Sequence, residues 1–295
     1  MNPRLLLTLV VLGLVGHMLL YVGVIVDDAY ISFRYARNLS EGLGLVYNPG
    51  ERVEGYTNFL WVVVAAAGFV AGLAPPLLIP PVGALSALAL LLFVHRSARA
   101  LAPDAGAEAP PWAALILAAS AGIAFYSVTG LETVFYTLLT TIALVSAARQ
   151  RAVGFATATA LAFMTRPEVG LLGVMGLGWL LLGPGRERAT ARRDAIRAAA
   201  IMALLLAPYL AFKLWYFGEL LPNTIHAKRP SLAFGLRYVV EGHAPAVGLV
   251  AITLWQLLRG QTLTPFTFVG SYWLAATVAV ALTGGDWMWA ERMLV

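Results

Sequence analysis

From Leu5 to Val26 the chain carries no Asp, Glu, Lys or Arg, and apolar runs recur at 58–73, 77–95, 112–128, 131–148, 152–165, 168–183, 198–217, 246–258 and 266–283. A helix of roughly 20 apolar residues crosses the hydrocarbon of a bilayer, where a segment must satisfy its own backbone polar groups. The pattern therefore predicts an all-α, polytopic transmembrane helical bundle. Composition points the same way, with 60% hydrophobic residues, 12% charged residues and a mean hydropathy of +0.79, against about 45–50% apolar and 25% charged in a soluble domain. A cytosolic enzyme, a nucleic-acid binder and a disordered chain are excluded. The length of 295 residues accommodates about seven to nine crossings and leaves little for a water-soluble domain. With no cysteine in the chain, disulfides, thiol nucleophiles and thiolate metal sites are excluded as well.

The run from Leu5 to Val26 is too long for a signal-peptide core and lacks a small-x-small site before Asp27, so it is expected to be an uncleaved first span. Eighteen of the 20 basic residues are arginine, and the net charge is +5. They cluster between runs, at Arg96 and Arg99, at Arg149 and Arg151, at Arg186 through Arg197, and at Arg259. With Arg4, these loops are expected to face the cytoplasm. The N-terminus is then cytoplasmic, and the loops at 27–56, 129–132, 165–168, 218–245 and 284–295 lie outside a plasma (inner) membrane. Eleven of the 15 acidic residues fall on that outer side. Because the basic residues alone set the orientation, the acid asymmetry is independent information and places the chemistry outside. Two apolar runs between an outer loop and an inner one leave one run that does not cross. Residues 58–73, short and closed by Gly72 and Ala74-Pro75-Pro76, are expected to be an embedded outer-leaflet helix, with 77–95 as the second span.

The outer loop 27–56 is the most informative stretch. Asp27 and Asp28 stand at a membrane exit; if 28–40 is helical, Tyr30, Phe33, Arg34 and Arg37 share a face, as on an interfacial helix. Asn48-Pro49-Gly50 reads as a tight turn returning the chain to the membrane at Glu54 and Thr57. Aromatics at Tyr30, Phe33, Tyr35, Tyr47, Tyr56, Phe59 and Trp61 interleave with Arg34, Arg37, Arg52 and further acids. That mixture suits a sugar or head-group site, where a partly desolvated carboxylate can act as general base towards a hydroxyl. The plain alternative is a hydrated pair of acids ending a span. Asp27 is expected to end the first span and serve as base, with Asp28 starting the interfacial helix and orienting the acceptor.

Four shorter outer motifs repeat the theme. Thr129-Gly130-Leu131-Glu132-Thr133 puts an acid at a helix start, where it also serves as a cap. Thr165-Arg166-Pro167-Glu168 couples an arginine to an acid. His226, Lys228 and Arg229 offer cations for a phosphate at the lipid surface. Gly284-Gly285-Asp286-Trp287 sets an acid among aromatics. Lys213, the other lysine, is expected to snorkel from a span end. No His-Glu-x-x-His occurs and none of the four histidines is spaced as a metal pair.

The string Asp27-Asp28-Ala29-Tyr30-Ile31 through Asn48-Pro49-Gly50-Glu51-Arg52-Val53-Glu54-Gly55-Tyr56-Thr57-Asn58-Phe59-Leu60-Trp61 is followed in order by Gly130-Leu131-Glu132-Thr133, Arg166-Pro167-Glu168, Leu221-Pro222-Asn223-Thr224 and Gly284-Gly285-Asp286. Together they resemble the membrane-embedded C-type (GT-C) glycosyltransferases, and within them the mycobacterial terminal arabinofuranosyltransferase family. The resemblance implies a single GT-C-like module over 1–295, with 27–56 and 218–245 as extracytoplasmic loops. It also implies a polyprenyl-phosphate sugar donor and an extracytoplasmic glycan or glycolipid acceptor. The essential first-loop acid would be Asp27 or Asp28. The donor phosphate would sit on Lys228 and Arg229, assisted by Arg166 or His226. Glu54 and Tyr56 would face the acceptor or order the loop, with Asn58, Arg34, Glu132, Glu168 and Asp286 in the same acceptor and loop region. The pair Asp27-Asp28 is not the Asp-x-Asp metal signature of some C-type enzymes, so no cofactor is expected to be required, a divalent metal being the alternative. Family members continue past Gly-Gly-Asp into further spans, so either a short gene or a truncated, inactive remnant is a further expectation. The competing class is a transporter or flippase of envelope precursors, which would place charges within spans and in inverted repeats.

Overall fold

The computed structural model describes residues 2–101, 111–223, 231–243, 251, 253–255, 258–259 and 264–284. Every regular element among them is helical, as the apolar patterning requires. Helix α1 (Pro3–Leu19) opens with Asn2 as cap, its Oδ1 accepting from Arg4 N at 2.9 Å, and with Pro at its first position. It ends well before Val26, because Gly23 adopts φ +90 and turns the chain within the apolar run. The expected continuous first span is thus a 17-residue helix followed by a turn.

Next come α2 (Asp27–Ser40), α3 (Phe59–Val70), α4 (Pro75–Leu101), α5 (Trp112–Ala119), α6 (Ala121–Val128) and α7 (Thr133–Ala148). The 12 residues of α3 rise only about 18 Å, short of a crossing. In α4, residues Pro75–Ala98 form a 24-residue apolar helix. These lengths agree with a short helix in 58–73 and a long one over 77–95. The chain continues through α8 (Ala152–Thr165), a short 3-10 turn at Pro167–Val169, α9 (Gly170–Leu182), α10 (Arg188–Phe217), α11 (Leu232–His243) and α12 (Pro265–Thr283).

Among the described residues, three helices are long and apolar enough to cross a membrane: Pro75–Ala98, Arg188–Phe217 and Pro265–Thr283. The pair α6 and α7, bent by 118° at its break, makes a fourth if counted as one span. This is fewer among the described residues than the seven to nine expected. Ser120, with ψ 117, cuts 112–128 in two, and Arg166-Pro167 ends α8 after 14 residues, about 21 Å of rise. Large apolar side chains face outward along the long helices, including Leu77, Leu85, Leu204 and Trp215, each at least 65% exposed. Surface of that kind is compatible with lipid and not with water.

The chain divides into two compact units, 1–141 and 142–294. In the first, α2 packs on α3, α4 on α3, α5 and α6, and α1 on α4, α5 and α6. Leu14, Trp61, Val62, Ile79, Leu90, Leu91 and Tyr126 are among its fully buried side chains. In the second, α10 packs on α8 and α9, and α12 on α9 and α11. There Trp179 stacks on Phe268 at 4.9 Å between ring centres.

Candidate functional site

Helix α2 starts at Asp27 itself, because Val26 is extended (ψ 141) and Asp27 and Asp28 fill the first turn, where the helix dipole favours carboxylates. The expectation that Asp27 closes the first span is therefore corrected: both acids belong to α2. No side chain caps the helix from outside. Asp27 Oδ1 instead accepts the Asp28 backbone N–H at 2.9 Å, which holds that carboxylate at the helix mouth while the residue stays exposed.

The face expected to unite Tyr30, Phe33, Arg34 and Arg37 is split. Phe33 turns inward with Ala29, Ser32 and Ala36, while Tyr30, Arg34 and Arg37 are exposed. Apolar burial at the 29, 32/33, 36 spacing wins that side of the helix. Arg34 Nε donates to Tyr47 O at 3.3 Å, and Arg37 pairs with Glu41 at 2.7 Å.

The rest of the loop folds back over α2 through side-chain clasps. Asn38 Nδ2 donates to Val46 O at 2.7 Å and to Tyr47 O at 2.9 Å. Tyr35 OH donates to Val53 O at 2.8 Å and accepts Gly55 N–H at 2.9 Å, and its ring meets Tyr56 edge-on at 4.7 Å. The clasp buries Glu54 and Tyr56, at 5% and 4% exposure. Burial raises the Tyr35 phenol above its ordinary pKa, the Gly55 N–H opposes this, and the Glu54 charge adds to it. A raised folded pKa contributes stability that is complete below the unfolded value near 10 and is lost as pH rises through the folded one. Tyr35→Phe removes both hydrogen bonds and should lower stability by about 1–3 kcal/mol, read as a drop in thermal midpoint at pH 7. The alkaline loss of loop protection above about pH 10 should then be blunted in the variant.

Opposite α2 lies the break between α6 and α7. Gly130, at φ +97, presses on α2 so closely that a Cβ there would come within 2.9 Å of Ala29 Cβ, so only glycine fits both the backbone angle and the space. Thr129 O accepts Val26 N–H at 3.0 Å, and Gly130 O accepts Trp61 Nε1 at 3.0 Å. Glu132, 3% exposed, precedes the first residue of α7, and its Oε2 accepts from Asn58 Nδ2 at 2.8 Å. Asn58 also bonds Ser32, with Nδ2 to Oγ at 3.0 Å and Oδ1 to Oγ at 3.2 Å. The structure thus unites Asn58 and Glu132, two residues expected in the site, and adds Ser32 and Trp61. Ser32 was findable as the polar residue one turn beyond Asp28 on an apolar stripe.

In the second unit Arg166 is 6% exposed and its Nη2 donates to Glu168 Oε1 at 3.2 Å, the couple expected from their spacing. Lys213 does not snorkel: it is 5% exposed, with Nζ 5.6 Å from the Tyr209 ring centre. Its signal was position, four residues after Tyr209 and on the buried face of α10 marked by Ala191, Ala195 and Ala198. His226, Lys228, Arg229 and Asp286 lie outside the described residues. Among the described residues no three His, Asp or Glu side chains converge as a metal site.

No family model matches the chain, and no solved structure matches it. The chain is 29% identical over 225 residues to the terminal beta-(1->2)-arabinofuranosyltransferase of Mycobacterium tuberculosis, an alignment covering 69% of this chain and 35% of that protein. It therefore spans about a third of the length of this curated relative.

Proposed function

We propose that the chain is a membrane glycosyltransferase that moves a sugar, arabinofuranose being the first candidate, from a polyprenyl-phosphate donor to an extracytoplasmic glycan or glycolipid acceptor. The distant similarity supports glycosyltransferase activity in general. The observation that carries the reading in this chain is the carboxylate pair at the mouth of α2, exposed at Asp27 and held by a backbone N–H, on a loop clasped by buried aromatics.

The acceptor hydroxyl approaches Asp27, which takes its proton as the oxygen attacks the anomeric carbon. The bond from that carbon to the phosphate oxygen breaks, and the electron pair leaves with the lipid phosphate. Lys228 and Arg229, with Arg166 or His226, stabilise the developing charge. Asp28 orients the acceptor. Single displacement with inversion is the economical route. Glu54 and Tyr56 order the loop from within, since both are buried, and Arg34 braces it at Tyr47.

The reading requires α2 and its loop on the outer face of the plasma membrane. Because the chain has no native cysteine, Glu51→Cys and Lys228→Cys should react with an impermeant thiol reagent in intact cells, whereas Arg99→Cys and Arg192→Cys should react only after lysis. External labelling at 99 would contradict the topology. For the activity itself, membranes containing the chain should carry radiolabel from a polyprenyl-phosphate pentose into the acceptor fraction. Label that stays lipid-linked in every fraction would overturn the assignment.

A further inference from the structure

We propose that Glu132, acting through Asn58, is the positioning residue that seats the acidic mouth of α2. This rests on the reading of Asp27 and Asp28 as the reacting edge. At 3% exposure the Glu132 carboxylate is too deeply buried to meet a sugar, and its chemistry is spent inside the protein. A buried carboxylate is tolerated only where hydrogen bonds hold it. Here Asn58 Nδ2 supplies one at 2.8 Å, and the same amide reaches Ser32 on α2 at 3.0 Å.

The segment that bears Glu132 is also what fixes the start of α2. Val26 N–H, at the residue before Asp27, binds Thr129 O. Gly130 abuts Ala29 and is held by Trp61, three residues after Asn58. Helix α2 has no side-chain cap of its own. Its first turn is thus held by backbone and packing contacts to 129–130, and those are held by the Glu132–Asn58–Ser32 bridge. The hydroxyls of Thr129 and Thr133, on either side of Glu132, are buried with no hydrogen-bond partner among the described residues. Buried unsatisfied groups weaken a segment, so this break depends on the bridge for its seat.

The bridge is directional, from amide to carboxylate, and can be inverted. Asn58→Asp alone sets two carboxylates against each other where a 2.8 Å bond stood. Asn58→Asp with Glu132→Gln restores an amide-to-carboxylate bond with donor and acceptor exchanged, and α3 loses no cap, since the Asn58 side chain makes no cap hydrogen bond to that helix.

The test uses the full chain in membranes, carrying Ala36→Cys as reporter, since Ala36 is fully buried on the inner face of α2. Asn58→Asp should speed maleimide labelling at position 36 by at least about tenfold as the local structure opens. With a radiolabelled polyprenyl-phosphate pentose it should lower kcat by about 100-fold, the cost of misplacing a reacting group, with donor KM unchanged. Part of that kcat should return as pH is lowered towards 5.5, because one of two facing carboxyls takes up a proton at raised pKa and becomes a donor. The double variant should bring labelling and kcat back close to the parent. A double variant no better than Asn58→Asp, or an Asn58→Asp chain that labels and turns over like the parent, would overturn the proposal. The labelling pattern holding in a chain that transfers no sugar would uphold the seating of α2 and reject the glycosyltransfer reading.

Discussion

Asp27→Asn should lower kcat for sugar transfer by about 10²–10⁴, the usual contribution of a general base, while leaving both KM values near those of the parent. The substitution keeps the shape of the side chain. Its amide oxygen can accept the Asp28 N–H that Asp27 Oδ1 accepts at 2.9 Å, so α2 keeps its start. Asp28→Asn, at the half-buried position behind it, should act mainly on acceptor KM. A large kcat loss for Asp28→Asn with near-normal kcat for Asp27→Asn would exchange the two roles.

Neutralising the cationic loop should act on the other substrate. Charge-assisted hydrogen bonds contribute about 1.5–3 kcal/mol each, so Lys228→Ala with Arg229→Ala should raise donor KM by about 10²–10⁴ if the two contributions add. Acceptor KM should stay within about a factor of three, since the loss lies on the phosphate. A raised acceptor KM with an unchanged donor KM would show that this loop serves the acceptor.

Much of the fold was legible because lipid leaves helices as the only simple solution, so apolar runs and the residues that interrupt them mark most elements. The short α3 and the long α4 followed from Thr57-Asn58 and Ala74-Pro75-Pro76, and the break at 129–132 followed from its glycine and acid. The end of α1 was not legible, because Gly23 sits inside an uninterrupted apolar run and nothing in hydropathy distinguishes a turn there from a continuing helix. The number of long spans failed for the same reason at Ser120, whose neighbours are all apolar.

Sequence spacing brought out the Asp27–Asp28 pair and the Arg166–Glu168 couple because each is local. Contacts between distant segments were hidden. That Phe33 points in while Arg34 points out is decided by Gly130 packing on Ala29, about a hundred residues away in sequence. That Asn58 bridges Glu132 and Ser32 depends on three segments meeting. Lys213 was misjudged because lysine near a span end ordinarily reaches water, and only the packing of the buried α10 face, with Tyr209 four residues before it, keeps it inside.

The proposed reaction breaks the bond between sugar and lipid phosphate outside the membrane. It is tested most directly by purified chain in proteoliposomes, supplied with a polyprenyl-phosphate sugar labelled in both sugar and phosphate, plus a soluble glycan acceptor. Polyprenyl phosphate should be released one for one with sugar appearing on the acceptor, and Asp27→Asn should slow both together by the same factor. Movement of the intact donor between leaflets with the two labels still joined would contradict the account and identify a transporter instead.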